Sequence, residues 1–189
     1  LIRVDDVVCK NGKSIVTLSQ LEFSRDEPNR AAKSWQVPVV AQVAGTKVEG
    51  RTLVVNGKGS LQLPACGTVV VNAGQNGYYR TMYAPAVFSN LAKNFASLSA
   101  IDQVGALADS NAMAVAGQQP VANFLDLASS TPDEASVHVW SAVAGRLSSY
   151  LAFLKGDEER TKKFKQFART KLTPIMNKLG WEKKVGEPD

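Results

Sequence analysis

The feature that most constrains the fold is a change of periodicity near Pro85. Before it, apolar and polar residues alternate in short runs separated by turn residues, as in β-strands. After it, apolar residues recur every three or four positions, as on one face of a helix. A chain of 189 residues has room for one large or two small domains. We therefore expect two segregated domains, an all-β domain at residues 1–84 and a helical domain at residues 85–189.

The first domain contains six or seven short candidate strands. Residues 14–23 alternate two sets of side chains and follow the turn sequence at residues 10–13, which predicts a strand after a tight turn. Residues 35–43 predict another strand, in which Pro38 indicates an edge or a bulge because proline has no N–H to donate. Short strands between turn signals are typical of an antiparallel sandwich. The predicted fold class is α+β, an immunoglobulin-like sandwich followed by an antiparallel, solenoid-like helical region.

Capping residues mark the first helices of the second domain. Ser99 is placed to cap a helix with Asp102 at its third position, and Gly117 lies where that helix should end. Pro120 occupies the predicted first position of a short helix. We expect a long helix between Ser99 and Gly117 and a short helix that begins at Pro120.

The clearest helix prediction begins at Thr131. Thr131 is the candidate N-cap, Pro132 the first helical residue, and Glu134 the residue that reaches back in a capping box. In the last helix, Pro174 should break or kink the backbone because it removes a hydrogen bond. Apolar residues at helical spacing predict a buried face on each of these two helices: Val139, Trp140, Val143, Leu147, Tyr150, Leu151 and Leu154 on the first, and Phe164, Phe167, Ala168, Leu172, Ile175 and Leu179 on the second.

Charge is distributed unevenly along the chain. Residues 1–84 contain ten Lys and Arg against six Asp and Glu, residues 155–189 contain the same numbers, and residues 85–154 contain two against five. Helices with so few charges pack in layers or against other surfaces. No apolar run approaches the roughly 18 residues of a membrane span. One basic cluster follows acidic residues in its own helix, which indicates a solvated face suited to the helix dipole rather than a nucleic-acid site: Lys162, Lys163, Lys165, Arg169 and Lys171.

Residues suited to catalysis or metal binding are scarce. His138 is the only histidine, and neither an H-E-x-x-H nor a C-x-x-C sequence is present. The usual zinc-ligand patterns are therefore missing. The acidic pairs Asp5/Asp6 and Glu158/Glu159 lie at a chain end and a helix start, where solvation and the helix dipole account for them. We assign no catalytic, cofactor-binding or metal-binding residue to this chain.

Residues 71–85, VNAGQNGYYRTMYAP, are the most unusual stretch. Two interpretations compete, a glycine-rich ligand loop and a turn between two strands. A phosphate-binding loop leads into the N-terminus of a helix, whereas a strand-like sequence follows here. Asn76 and Gly77 form a pair that suits the positive φ angles of a hairpin turn. We favour a hairpin whose tyrosines pack against the first helices.

The same stretch resembles the N…G.YYR..Y signature of the aminopeptidase N family of zinc aminopeptidases, where it ends a small β-sandwich domain. Other segments resemble family segments in the same order: residues 16–23 the opening strand, residues 35–39 a later strand, and residues 99–117 the first long helix. The resemblance spans residues 14–181, with Gln103 in place of the family's usual arginine. The matching residues are Gln20, Phe23, Trp35, Pro38, Asn72, Gly77, Tyr78, Tyr79, Arg80, Tyr83, Asp102, Asp109, Glu134, Trp140, Leu179 and Trp181.

The resemblance implies a non-catalytic role. In the family, a catalytic domain upstream of the sandwich holds the zinc with two histidines and a glutamate, and its motifs have no counterpart here. The chain would be the sandwich and the beginning of the helical domain of a peptide-trimming enzyme, with zinc in the parent only. Its partners would be the upstream catalytic domain, further helices downstream, and the parent's peptide substrate, because the family's helical domain forms the wall of the substrate chamber.

Cys9 and Cys66 are the two cysteines. Both flank predicted strands, and the residues alone leave two reduced thiols and one disulfide equally open. Some secreted or periplasmic bacterial members of the family place cysteines at similar points of the sandwich. The resemblance therefore favours a Cys9–Cys66 disulfide and a periplasmic or secreted parent, whereas reduced thiols would favour the cytoplasm.

A free-standing interaction module is the alternative to an enzyme fragment. An immunoglobulin-like sandwich with a helical appendage could bind a protein or a glycan, since such sandwiches carry many functions. The two interpretations differ in context. A fragment predicts an upstream H-E-x-x-H motif and further helices downstream, whereas a module predicts natural ends near Leu1 and Asp189.

Overall fold

The computed structural model describes residues 1–27, 30–31, 33–180, 182 and 186. The chain divides into two compact units, Leu1–Thr131 and Pro132–Asp189. Strands precede Pro85 and helices follow from it, so the predicted α+β layout is confirmed. The first compact unit contains all the described strands and the first three α-helices. Secondary structure and compactness thus divide the chain at different places, and the domain boundary after residue 84 stays a prediction.

Seven strands lie in the described part of the chain: β1 (Ile2–Lys10), β2 (Lys13–Gln20), β3 (Val37–Val43), β4 (Glu49–Val54), β5 (Lys58–Leu63), β6 (Val69–Val71) and β7 (Thr81–Tyr83). They form a four-stranded sheet in the order β5-β2-β1-β7 and a three-stranded sheet in the order β4-β3-β6. Neighbouring strands are antiparallel except β1 and β7, which are parallel.

Tight turns connect consecutive strands within and between the two sheets, and both sheets contribute apolar side chains to the core. Two Asn-Gly pairs form the predicted kind of tight turn, one between β1 and β2 and one between β4 and β5, with positive φ at both residues of each pair. The second of these turns carries the chain from one sheet to the other. The buried side chains include Ile2, Val4, Val16, Leu18 and Leu63 of the four-stranded sheet, and Val39, Ala41, Val43, Val54 and Val71 of the other.

Pro38 lies in β3, which is the central strand of its sheet rather than an edge. Pro38 is opposite Leu53 of β4, whereas β6 pairs only with Ala41–Val43 at the other end of β3. At Pro38 the described structure therefore places a strand on one side alone. A proline is tolerated there because no second neighbour needs its N–H.

Five α-helices lie in the described part of the chain: α1 (Pro85–Lys93), α2 (Ala100–Val115), α3 (Val121–Ser129), α4 (Val137–Tyr150) and α5 (Glu158–Leu179). The predicted cap of α2 is confirmed, because the Ser99 hydroxyl accepts a hydrogen bond from the Asp102 N–H at 3.3 Å. Gly117, with φ of +68°, follows the end of α2 as predicted. Pro120 is the N-cap of α3, one position before the predicted one.

The prediction that Thr131 caps α4 is wrong. The N-cap is Ser136, whose hydroxyl accepts a weak, 3.5 Å hydrogen bond from an N–H in the first turn. The Thr131 hydroxyl instead donates to the carbonyl of Leu127 at 3.0 Å. Pro132 and Glu134 therefore precede the helix, and the capping box at Glu134 does not form.

The last helix, α5, continues through Pro174 to Leu179 and does not break there. Asp157 caps it by accepting a hydrogen bond from the Arg160 N–H at 2.9 Å. None of the helices in the described residues combines the length and the apolar character that crossing a membrane requires.

A disulfide joins Cys9 in β1 to Cys66, which lies after β5. The two Cα atoms are 5.4 Å apart, and the cysteines are separated by 57 residues in the sequence. The bridge therefore ties the far end of β1 to the segment that leads into the other sheet, and neither cysteine is free.

Candidate functional site

Metal-binding side chains are not assembled in this chain. Among the residues that the structure describes, no group of three or more His, Cys, Asp and Glu could hold a metal ion. His138 lies exposed near the start of α4. The donor set does not fit the zinc of the aminopeptidase N resemblance, so no chemical step through zinc is assigned to these residues.

The most highly organised polar structure is the Asn72 loop, residues 72–80 between β6 and β7. Asn72 is buried and has a left-handed backbone conformation with φ of 62°. Its side-chain oxygen accepts a hydrogen bond from the Gly77 N–H at 2.8 Å, and its side-chain nitrogen donates to the Gly77 carbonyl at 3.1 Å. One side-chain amide thus closes the loop by bonding both backbone groups of Gly77.

The hairpin predicted for this stretch is wrong. β6 pairs with β3 in one sheet and β7 pairs with β1 in the other, so the loop crosses between sheets. A side chain at Gly77 would come within 2.2 Å of the Tyr79 ring. Glycine is therefore required at position 77 because the Tyr79 ring lies too close for any side chain there. The Asn76-Gly77 pair does not form a hairpin turn.

Two acidic residues of α2 bind the Asn72 loop, and Asp102 is the first. Its carboxylate accepts a hydrogen bond from the Gly74 N–H at 2.8 Å and one from the Ser99 hydroxyl at 2.6 Å. Gly105 lies one turn further along, where an added side chain would come within 2.2 Å of Gln75. The start of α2 is therefore packed directly on the loop.

Asp109 is the second of these residues and lies two turns after the first. It accepts a hydrogen bond from the Thr81 N–H at 2.8 Å and one from the Arg80 guanidinium at 3.1 Å. Burial raises the pKa of the Asp109 carboxyl, and the bonds from Thr81 and Arg80 act in the other direction. The guanidinium carbon of Arg80 lies 5.3 Å from the centre of the Phe23 ring. The carboxylate fixes the start of β7 and orients Arg80.

The buried tyrosines of the segment are structural. Burial raises the pKa of Tyr79 to about 12, while a hydrogen bond with the backbone of Val40 acts in the other direction. Burial also raises the pKa of Tyr83, whose hydroxyl accepts a hydrogen bond from the Val71 N–H at 3.0 Å. Both phenols are therefore neutral at pH 7; Tyr79 links the loop, and Tyr83 links β7, to the three-stranded sheet.

Above the loop lies a cleft of about 940 Å³, here called the aromatic cleft. Trp35 is 59 % exposed in it, and Tyr78 is fully exposed. Gln20 holds the Trp35 segment in place, since its side-chain oxygen accepts a hydrogen bond from the Trp35 N–H at 2.9 Å and its nitrogen donates to the Lys33 carbonyl. The cleft is lined in part by Leu1, Gln20, Phe23, Trp35, Pro38, Gly77, Tyr78, Tyr79, Arg80 and Asp109.

The structure thus gathers most of the residues matched by the resemblance around one cleft, with Asn72 and Tyr83 buried beside it. Trp140 lies in the other compact unit, where it is buried and its ring centre is 5.6 Å from the ammonium of Lys171. Trp181 lies outside the described residues. The cleft presents exposed rings, amides and a paired guanidinium, a set suited to binding another surface.

Comparison with known proteins identifies the family. Residues 68–189 match the ERAP1-like C-terminal domain, which is more than half of the chain. The chain belongs to this family. Its relatives are aminopeptidases: aminopeptidase 2 of Candida albicans is 27% identical over 186 residues, which are 96% of this chain and 20% of that protein.

Other relatives agree with this assignment. The alanine/arginine aminopeptidase of Saccharomyces cerevisiae is 26% identical over 183 residues, 95% of this chain and 21% of that protein. Aminopeptidase M1 of Arabidopsis thaliana is 32% identical over 126 residues, 65% of this chain and 14% of that protein. The predicted resemblance to the aminopeptidase N family is confirmed. This ERAP1-like chain spans about a fifth of the length of the first two relatives.

Sequence reasoning missed how Asp102 and Asp109 act. Asp102 was placed in the capped first turn of α2 and Asp109 was matched by resemblance alone, and neither was assigned a partner in the Asn72 loop or β7. Their spacing of seven residues places them on one face of a helix, and this helix belongs to the stretch with few charges. Two carboxylates on the apolar side of such a helix need buried partners, and this signal was available in the sequence.

Proposed function

We propose that this ERAP1-like chain is the non-catalytic C-terminal part of a zinc-dependent aminopeptidase that removes N-terminal residues from peptides. The observation that carries the proposal is similarity to aminopeptidases over nearly the whole chain, which nevertheless equals only about a fifth of their length. The described residues that could ligate a metal do not come together. The zinc and the catalytic groups therefore belong to the rest of the polypeptide.

In this proposal the two regions have different tasks. The strands link the catalytic domain to the helices, and the helices begin the wall of the chamber in which the peptide substrate lies. The Asn72 loop supports the first task, because Asp102 of α2 binds the backbone within it and Asp109 binds the backbone of Thr81 directly after it. The first helices are thereby fixed to the sandwich.

We also propose that the parent is exported to the periplasm or the cell exterior. The Cys9–Cys66 disulfide supports this location, because disulfides persist in oxidising compartments and are rare in the cytosol. Alkylation of the unreduced, denatured native protein tests it. No alkylated cysteine among these two is expected, and two alkylated cysteines would contradict the proposal.

The decisive experiment is to isolate the native polypeptide with an antibody against this chain. We expect a band several times larger than 20.3 kDa under denaturing conditions. The captured protein should release N-terminal residues from peptides, lose this activity with a chelator and regain it with zinc. The 189-residue chain alone, as the matched control, should cleave nothing.

A free-standing module that binds a protein or a glycan is the second candidate function. The exposed rings of Trp35 and Tyr78 favour it, since aromatic rings open to solvent are common in binding sites. A native band at 20.3 kDa would support this function and contradict the enzyme proposal. A large native protein without peptidase activity would contradict the enzyme proposal alone.

A further inference from the structure

The first strand reaches the wall of the aromatic cleft. The Ile2 N–H donates to the carbonyl of Arg80 at 2.9 Å, and the Leu21 N–H donates to the carbonyl of Leu1 at 3.0 Å. The chain is thus held on both sides up to its first residue.

The strand registers define what would lie further upstream. β1 is antiparallel to β2 with Ile2 opposite Gln20, and parallel to β7 with Ile2 opposite Thr81. Continuing both registers by two steps places the residue before Leu1 opposite Glu22 and Tyr79. The next residue upstream would be opposite Phe23 and Tyr78. Both facing segments line the aromatic cleft or adjoin it.

Beyond the bonds from Leu21 to Leu1 and from Ile2 to Arg80, the facing segments lack a strand partner in the described chain. Residues 21–23 and 78–80 have no strand structure, although each continues directly from or into a strand of the same sheet. Within the described chain, neither the Phe23 N–H nor the Arg80 N–H donates a backbone hydrogen bond. These two segments lie on either side of the line along which β1 would continue.

We propose that the polypeptide preceding Leu1 in the longer protein extends β1 into the aromatic cleft and pairs with residues 21–23 and 78–80. The inference rests on the proposed function, which places the catalytic domain of a longer polypeptide before Leu1; the chain covers 20% of aminopeptidase 2 of Candida albicans, so that relative is long enough to contain such a domain. A second copy or an unrelated peptide would have to enter between β2 and β7 in line with β1, and this is the position that the residues before Leu1 would themselves occupy.

The pairing makes specific predictions for hydrogen bonds. In the antiparallel register, the Phe23 N–H should donate to the carbonyl two residues before Leu1, because bonded pairs alternate along the ladder. In the parallel register, the Arg80 N–H should donate to the carbonyl of the residue immediately before Leu1, and that residue's N–H should donate to Tyr78. The cleft would then be part of an internal interface.

Hydrogen exchange in the intact, full-length polypeptide tests the inference. The Phe23 and Arg80 amides should exchange at least about tenfold more slowly than the amides of Asn11 and Gly12, the exposed turn at the other end of β1. Proline in place of the residue immediately before Leu1 removes the N–H that should donate to Tyr78, so it should weaken the parallel pairing and reduce the slowing at Arg80. Alanine at the same position is the matched control and should preserve it.

The outcomes separate this inference from the proposed function. If the full-length protein trims peptides but the Phe23 and Arg80 amides exchange as fast as the turn amides, the strand extension is overturned and the function stands. If these amides are protected in a long polypeptide that trims no peptide, the extension stands and the function fails. Protection of the Arg80 amide that survives the proline substitution unchanged would also overturn the extension, because it would show that the upstream residue does not pair with Tyr78.

Discussion

The helices α2 and α5, one from each compact unit, are held by different kinds of interaction. α2 has 16 residues and buries four polar ones, Asp102, Gln103, Asp109 and Ser110. Asp102 and Asp109 accept hydrogen bonds from backbone N–H groups outside the helix. Gln103 donates one to a backbone carbonyl outside it. α5 has 22 residues, and Ile175 is its one buried residue in the described structure.

The polar groups of α5 are bonded locally instead. Asp157 caps the first turn and pairs with Arg160, and Lys163 pairs with Glu159 one turn away. The side chains of Arg160, Lys163 and Glu159 are largely exposed, and that of Asp157 is about half-buried. Long-range bonds to buried backbone groups are costly to break, whereas exposed local pairs contribute little. The comparison therefore predicts large effects of substitution in the first unit and small effects in the second.

The disulfide should have the largest effect. It closes a loop across 57 residues, so replacing both cysteines (Cys9→Ser with Cys66→Ser) should cost about 4 kcal/mol by the loop-entropy relation. Denaturant unfolding combined with hydrogen exchange by mass spectrometry measures the loss. Peptides from Leu1–Thr131 should become less protected, while peptides from α5 should not change. An equal loss in both units would show that they unfold together.

Asp109→Ala should have the next largest effect, about 2 kcal/mol. The substitution leaves the buried Thr81 N–H without an acceptor. The lost pair with Arg80 adds little because Arg80 is 42% exposed. Urea denaturation measures the change. Asp109→Asn, which keeps an oxygen acceptor, should recover part of the stability, and Asp126→Ala on the exposed side of α3 should change it by less than about 0.5 kcal/mol.

If Asp126→Ala were as harmful as Asp109→Ala, the buried bonds would not distinguish the first unit, and the comparison would fail. An Asp109→Asn variant as unstable as Asp109→Ala would show that charge, rather than the acceptor, is what Thr81 requires.

Alkaline pH should also act on the first unit. An unfolded tyrosine loses its proton near pH 10, whereas the pKa of Tyr79 is raised to about 12 by burial. The folded state therefore holds the proton longer, and the stability it provides below pH 10 is lost as pH rises from 10 to 12. Because the ring is partly exposed, we expect a loss of about 1 kcal/mol after allowing for solvent screening.

Denaturant midpoints between pH 8 and 12 measure this loss. Tyr79→Phe should make the decline shallower by about this amount, while the part due to buried Tyr83, whose pKa is also raised, remains. Tyr78→Phe, which changes a fully exposed ring, is the matched control and should not reduce the decline. A decline that is equally steep in Tyr79→Phe would assign the alkaline sensitivity to other groups.

Some of the fold was predictable because its signals are local. The change from strand to helix at Pro85 follows from side-chain periodicity, and the Ser99 cap follows from a hydroxyl placed three residues before Asp102. Thr131 carries the same local signal, yet its hydroxyl bonds back to Leu127 and the helix begins after Ser136. Thr131 and Ser136 are both suitable N-cap residues, and the neighbouring sequence does not indicate which of them begins the helix.

The candidate site was less predictable because it depends on long-range contacts. Three Asn-Gly pairs carry the same hairpin signal, and two of them form tight turns. The third, Asn76-Gly77, lies in a loop whose flanking strands join different sheets, and Asn72 rather than the pair closes it. Sheet membership is decided by pairing with β1 and β3, far away in sequence. The bond from Arg80 to Asp109 across 29 residues is of the same kind.

In the second unit, Asp157→Ala should cost about 1 kcal/mol of helix stability. The substitution removes the side-chain acceptor of the Arg160 N–H at the start of α5. About 1 kcal/mol is the usual contribution of such an N-cap. Hydrogen exchange of the first two turns of α5 measures the effect. Asp157→Asn keeps the cap without the charge and should retain most of the exchange protection. If Asp157→Asn loses as much protection as Asp157→Ala, the negative charge near the helix start, rather than the hydrogen bond, is what stabilises the helix.

The smallest effect is expected at the exposed pair of Lys163 and Glu159, which are one turn apart on α5. Lys163→Ala should cost about 0.3 kcal/mol, because the two side chains are 74% and 79% exposed and water already solvates both charges. Raising the salt concentration from about 0.01 M to 1 M should produce a smaller loss in the variant than in the parent chain, since salt screens exposed pairs and the variant keeps only the Asp157–Arg160 pair of the two. Helix content by circular dichroism and exchange of α5 amides measure both changes. A loss near 2 kcal/mol, as expected for Asp109, would show that α5 depends on tertiary electrostatics and would remove the contrast between the two helices.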